Sequence, residues 1–160
     1  MKLTHVVSPE LAREASGDRP VTDVAVGILI REQDNAFLLT SRPHGKPYEG
    51  YWEFPGGKLE PRESVLQALH RELEEEIGVS VESASLWQEA IFDYPQAIVR
   101  LHFCKVFQWR GDVQMREGQN HIWSQLPVRV APVLPGTFPV LDWLANERNL
   151  VGCTVVGSDM

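Results

Sequence analysis

Three glutamates, Glu72, Glu75 and Glu76, stand at spacings of three and four. On an α-helix, at about 100° per residue, they share one face. Like charges at this spacing repel, and near a helix C-terminus they also oppose the macrodipole. A bound divalent cation removes both penalties, and carboxylate oxygens are the donors a hard cation prefers. Glutamate is also a good helix former, so a solvated acidic face looks the same in isolation. The neighbours separate the two readings. Gly56 and Gly57 lie just upstream in a PGG turn, where the backbone is able to approach a ligand closely. Glu63 stands near the helix start, and Arg71 lies beside the acids. The chemistry to expect is that of an anionic substrate held through metal ions.

The composition bounds this reading. The chain has 160 residues, of which 43% are hydrophobic and 23% charged, as expected for one globular domain with a real core. The net charge of −7 argues against binding polynucleotides, which draws on basic patches. A nucleotide polyphosphate remains compatible, provided cations stand between the two sets of negative charge. No apolar run approaches the roughly 18 residues of a membrane span, and residues 1–20 lack the basic start and apolar stretch of a signal peptide. The expectation is a cytoplasmic protein without membrane contact. Cys104 and Cys153 are far apart and in no metal-like spacing; Cys104 reads as a core residue, and a disulfide is not expected. The five histidines form no ligand spacing, and His70, beside an apolar stripe, reads as structural.

The elements that must position these residues follow from periodicity. Residues 1–20 read as a loose lead-in with room for one short strand. VTDVAVGILIRE (21–32) is a β-branched run typical of a buried strand, QDNA (33–36) a turn and FLLTSRP (37–43) a second strand, so the pair is a hairpin candidate. A Gly/Pro loop fills 44–52, and 52–64 begins as a short strand and ends as a loop. Leu66, Leu69, Leu73 and Ile77 form one apolar stripe, roughly 120° from the acidic face, on a helix over 63–78 capped by Gly78. Two long strands over 79–94 and 97–111 turn at Pro95. A short strand covers 121–127, and a helix covers 137–147 with the Thr137 hydroxyl available as its N-cap. Residues 148–160 read as a tail, and Trp52, Trp123 and Trp143 as core. Strands, helix, strands, helix in that order predict a mixed-sheet sandwich.

Residues 57–79 resemble the Nudix box, G-x5-E-x7-R-E-U-x-E-E-x-G-U with U aliphatic. Gly57, Glu63, Arg71, Glu72, Leu73, Glu75, Glu76, Gly78 and Val79 fill every constrained position. The flanking segments AVGILI, LLTSRP, WEFPGGKLE and REGQNHIW are similar to the MutT branch of that superfamily. The resemblance implies an α+β fold of the Nudix type: an α/β/α sandwich with a mixed central sheet, the box as loop-helix-loop and a C-terminal helix. It places the domain over 21–147. It further implies hydrolysis of a nucleoside triphosphate, 8-oxo-dGTP in that branch, to the monophosphate and pyrophosphate, with a role in nucleotide-pool sanitation and mutation avoidance. Mg²⁺ would be the cofactor, with Mn²⁺ as substitute, and the protein a monomer or homodimer.

The same resemblance implies roles residue by residue. Glu72, Glu75, Glu76, the Gly56 carbonyl and Glu117 would hold the divalent ions. Glu72 is the first choice for the general base and Glu63 the second. Arg71 would orient Glu63 or a metal-binding glutamate through a charge-assisted hydrogen bond. Arg42 and Lys58 would lie near the phosphates or sugar. Glu53, Phe54 and Tyr94 would lie near the nucleoside, Tyr94 as an aromatic able to pack on a base. Gly57 and Gly78 serve backbone geometry. The chain departs from the branch at Thr137, where an asparagine reads the oxidised purine edge; a hydroxyl lacks the fixed donor–acceptor pair of an amide. Another triphosphate, ADP-ribose or a dinucleoside polyphosphate is therefore the alternative substrate. A non-catalytic nucleotide-binding regulatory module would show eroded box glutamates, and none is missing.

Overall fold

The computed structural model describes residues 6–7, 20–95 and 97–156. Among these residues, eight strands and two helices follow one another: β1 (Val6–Val7), β2 (Val21–Leu29), β3 (Phe37–Ser41), β4 (Trp52–Glu53), β5 (Gly56–Lys58), α1 (Val65–Ile77), β6 (Ser80–Asp93), β7 (Ile98–Arg110), β8 (His121–Ser124), then a 3₁₀ turn (Pro135–Thr137) running into α2 (Phe138–Glu147). The main sheet has the order β1-β6-β7-β2-β5 and is mixed: β2 runs parallel to β7 and antiparallel to β5. A smaller sheet has the order β4-β3-β8.

The period-2 geometry of β2 explains the layering. Ala25 and Leu29 face one way, into a core shared with Leu69, Leu73 and Ile77 of α1. Gly27 shares that face, where an added Cβ would press on Leu69 and Leu73. Val26, Ile28 and Ile30 face the other way, into a core closed by Val140, Leu141 and Leu144 of α2. A strand buried on both faces reads as a continuous apolar run, as 21–32 does. The result is the expected α+β sandwich, with a helix on either side of a mixed sheet.

Helix α1 starts at Ser64, whose hydroxyl accepts from the Gln67 backbone while the Gln67 side chain accepts from the Ser64 N–H, a reciprocal capping box. It ends at Gly78, which adopts a left-handed φ of 73° and donates its N–H to the Glu74 carbonyl.

Several expectations need correction. The 21–32/37–43 hairpin is reduced to one bridge, Ile30 to Phe37; both edges of β2 are already taken by β7 and β5, so β3 leaves for the second sheet. The two glycines of the PGG segment open strand β5 rather than form a turn. Leu66 lies off the buried stripe of α1, which runs through Ala68, Leu69, Leu73 and Ile77; Leu66 and His70 are exposed. Thr137 stands at the N-cap position of α2, as expected, but its hydroxyl makes no capping bond, and its backbone is αR at the end of the 3₁₀ turn. Trp52, Trp123 and Trp143 edge the core rather than fill it; Trp123 stacks on Trp109 with Arg31 over its ring. The expected tail packs back through residue 156. Val155 is buried, and Thr154 and Val156 bond the Val128 backbone, because a short β-branched run finds an unpaired edge there. Cys104 is buried and Cys153 exposed, both as free thiols. The lead-in reaches the sheet through β1, paired with Ile91 and Phe92; its other residues, Pro20 apart, lie outside the described residues.

Candidate active site

The site straddles β5, the edge strand of the main sheet. In the antiparallel pairing of β5 with β2, alternate residues turn their polar groups inward. Gly27 N–H bonds the Pro55 carbonyl and Leu59 N–H the Asp23 carbonyl. Gly56 and Lys58 therefore aim their N–H and C=O away from β2. Two side chains of α1 meet them there. Gly56 N–H donates to Glu76 Oε2 at 3.3 Å, and the Lys58 carbonyl accepts from Arg71 Nη2 at 3.0 Å. The outward carbonyl of Gly56 lies on the same edge.

The two glycines answer to different neighbours. A Cβ at Gly56 would collide with the Ala25 carbonyl of β2, so the close approach of backbones excludes a side chain. A Cβ at Gly57 would fall inside the Glu72 carboxylate, which lies directly over it.

Arg71 organises the helical acids. Its Nε and Nη2 bind the two Glu63 oxygens at 2.7 and 2.8 Å, and Nη1 reaches Glu72 at 2.9 Å and Glu75 at 3.5 Å. The two-pronged bond, with the Glu60 N–H on the same carboxylate, holds Glu63 down to about 2. Glu76 is the opposite case. Burial, then the charges of Glu117, Glu53 and Glu72, push its carboxyl up to about 8.

Among the described residues, no three His, Cys, Asp or Glu side chains are gathered closely enough to grip an ion together. Each carboxylate takes its own partner: Glu72 and Glu75 turn to Arg71, Glu76 to Gly56. The donor chemistry nevertheless fits a hard divalent cation. Every donor is a carboxylate or carbonyl oxygen, and Glu76 is a half-buried carboxyl near three other acids whose repulsion a cation would relieve.

On the other side of β5 lies a cavity of about 340 Å³. Its polar wall carries Arg42, Glu53, Lys58, Tyr94 and Thr137, with Gly56 at the junction to the acids. Its floor is apolar: Phe54, Val24 and Val26 of β2, and Leu101 and Phe103 of β7. Arg42, at the end of β3, donates to the Pro47 carbonyl at 2.6 Å and to Glu53 at 3.1 Å, pinning the 43–51 loop to the cavity rim. Glu53 is held up by burial against the opposing pull of Arg42. Phe54 packs against Phe37, and Tyr94 stacks on Phe92 with its hydroxyl raised by burial. Thr137 is 4% exposed. It arrives with Leu134 and Gly136 on the segment that β4 bonds through Trp52 N–H to Pro132 and Leu134 N–H to Trp52.

The fold thus gathers Gly56, Glu63, Arg71, Glu72, Glu75, Glu76 and Glu117 on one side of the β5 edge, and Arg42, Glu53, Phe54, Lys58, Tyr94 and Thr137 around one cavity. Sequence reasoning missed the floor residues of β2 and β7. Their alternation marks a face, but nothing in it says that part of that face is open. It also missed Pro47, Tyr48, Leu134 and Gly136, which lie in segments without periodicity.

The NUDIX domain family matches residues 21–144. The 8-oxo-dGTP diphosphatase of Haemophilus influenzae is 42% identical over 133 residues, 82% of this chain and 97% of that protein. The CTP pyrophosphohydrolase of Escherichia coli is 35% identical over 74% of this chain and 89% of its own length. Among solved structures, MutT from Aliivibrio salmonicida and Vibrio cholerae, studied together, superposes with a TM-score of 0.57 at 37% identity, covering 66% of this chain and 81% of that one. The ORF135 protein of E. coli superposes at 0.71 and 32% identity, covering 82% and 94%. The chain belongs to the Nudix family. It is a Nudix hydrolase, an enzyme acting on pyrophosphate bonds, and enzymes of this family work with divalent metal ions. No helix among the described residues is long and apolar enough to cross a membrane.

Proposed function

We propose that this enzyme hydrolyses 8-oxo-dGTP to 8-oxo-dGMP and pyrophosphate with Mg²⁺, Mn²⁺ serving as substitute, and so cleanses the cytoplasmic nucleotide pool. The observation that carries the reading is the junction at β5, where an apolar cavity for a nucleoside opens beside a set of oxygen donors for a metal-bound polyphosphate. Its similarity to the H. influenzae 8-oxo-dGTP diphosphatase over nearly that protein's whole length supports the choice of substrate.

Glu72, Glu75, Glu76, Glu117 and the outward Gly56 carbonyl would hold the cation. A cation held there would supply charge neutralisation for the polyphosphate, a lowered pKa for a bound water and stabilisation of the leaving pyrophosphate. Glu72 takes the proton of the attacking water, and Arg71 fixes its carboxylate in place. Glu63 has both oxygens on Arg71 and a carboxyl near 2, so it holds Arg71 rather than accepting the proton. Arg42 and Lys58 face the phosphates and sugar from the cavity rim. Glu53, Phe54 and Tyr94 enclose the nucleoside, and Thr137 presents a hydroxyl at its far end.

A second reading keeps the chemistry and changes the base. Thr137 replaces an amide with a hydroxyl, and one relative is a CTP pyrophosphohydrolase. The test is kcat/KM for 8-oxo-dGTP, dGTP, CTP and ADP-ribose in one panel. The proposal expects 8-oxo-dGTP to lead by at least about tenfold, a margin that one well-placed hydrogen bond supplies. Parity with dGTP, or a lead for CTP or ADP-ribose, overturns the substrate assignment and leaves the hydrolase intact.

A further inference from the structure

Glu117 lies outside α1, on the loop between β7 and β8, near enough for its charge to act on Glu76, and a glutamate on such a loop needs something to hold it there. The loop is latched to the C-terminal end of α1. Gln114 N–H donates to the Ile77 carbonyl at 2.8 Å and Arg116 N–H to the Glu76 carbonyl at 3.1 Å. The Arg116 guanidinium donates to the Glu74 carbonyl at 3.1 Å and lies over Gly78, where a Cβ would sit 2.9 Å from its Nε. Val113 and Met115, alternating with these donors, pack into the core beneath α1. On the other side of Glu117, Gln119 is 5% exposed, and its Oε1 accepts the Glu117 N–H at 3.0 Å. The Gln119 Nε2 is buried without a partner among the described residues. An apolar residue would fill that space without stranding a donor, so the amide is retained for its other end.

The last carbonyls of a helix lack intrahelical donors, and its C-terminus favours a cation. Helix α1 has no basic residue in its last turn. Arg116 supplies both needs from another segment, and in doing so sets Glu117 one residue away from the Glu76 backbone. We propose that Arg116, with Gln119 as the second clamp, is a positioning residue that acts through Glu117 to shape the cation site. The inference rests on Glu117 being a cation ligand, as in the function proposed above.

The sign of the effect separates positioning from plain electrostatics. Removing a positive charge beside an acidic cluster should strengthen cation binding by Coulomb's law. A positioning role predicts the reverse. The experiment measures Mn²⁺ affinity from the free-ion EPR signal, with kcat, KM and Tm, for the wild type, Arg116→Ala, Arg116→Lys, Glu117→Gln and the Arg116→Ala/Glu117→Gln double variant. We expect Glu117→Gln to weaken Mn²⁺ binding. We expect Arg116→Ala to weaken it by roughly tenfold, the scale of losing a residue that orients a ligand. Arg116→Lys should recover most of the loss, and Arg116→Ala should add little to Glu117→Gln. Tighter or unchanged Mn²⁺ binding in Arg116→Ala overturns the proposal, as does a full additional loss in the double variant or an effect on Tm alone. Unchanged binding in Glu117→Gln instead overturns the ligand role of Glu117 on which the proposal stands.

Discussion

The two sides of β5 are built in different ways. On the α1 side, five site residues within fourteen positions, Glu63, Arg71, Glu72, Glu75 and Glu76, are arranged by one helix and the turn that leads into it, and the arginine braces three of the four acids. On the cavity side, the lining comes from β2, the loop after β3, β4, β5, β7 and the 3₁₀ turn before α2. The first is a local construction whose geometry follows from helical spacing. The second exists only once distant strands pair. In the proposed function, the chemistry of bond cleavage belongs to the local part and selectivity to the assembled part. Changes on the two sides should therefore separate turnover from substrate choice.

The largest effect is expected at Glu72. Glu72→Gln should lower kcat by about a thousandfold with Tm nearly unchanged, the scale of losing a general base. Near-normal turnover with Mg²⁺ would break the assignment of cleavage to the α1 side.

Next come the paired glycines. Gly57→Ala should displace the Glu72 carboxylate and lower kcat by about a hundredfold with little change in stability, because the neighbour that must move is a side chain. Gly56→Ala meets the Ala25 backbone, so it should cost about 3 kcal/mol of stability as well. Chemical denaturation and kcat for the two variants check the contrast. Equal stability losses would mean that β5 does not divide the site as described.

Thr137 sharpens the other side. Thr137→Val keeps the shape and removes the hydroxyl. It should change the ratio of kcat/KM between 8-oxo-dGTP and dGTP by up to about tenfold while leaving kcat for the better substrate within about twofold, the worth of one hydrogen bond. An unchanged ratio would remove Thr137 from base selection.

The smallest effect concerns pH. Glu63 has a folded pKa of about 2, below its ordinary value of 4.5. Its bond to Arg71 therefore adds stability that is fully present above pH 4.5 and is lost as pH falls toward 2. The Tm difference between the wild type and Glu63→Gln should be constant from pH 5 to 7 and shrink below pH 4. A difference that grows with acidification would contradict the ion pair.

The difference between the two sides also explains what was legible. The helix over 63–78, its acidic face and its glycine stop all follow from spacing along one element, whereas Arg71's ties to Glu63 or a neighbouring glutamate came with the family resemblance, and the fold makes both. The hairpin of β2 with β3 was not legible, because local pattern cannot say that β7, some 70 residues on, takes that edge. Leu66 was misplaced because the stripe could rotate by one position, and only the contact with β2 fixes which leucines are buried. Thr137's environment depends on the 3₁₀ turn, which β4 ties in place through Trp52.

By itself the sequence determined the box: which residues carry charge, which face they share, and that the chain is a Nudix hydrolase. Helical geometry is local, so spacing alone suffices. Only the tertiary structure decided that Glu72 covers Gly57, that Glu76 bonds the Gly56 N–H, that the loop carrying Arg116 and Glu117 is tied to the end of α1, and that a cavity opens on the far side of β5. Each of these depends on a contact between segments distant in the chain, and such contacts are set by the packing of a whole core rather than by any run of residues.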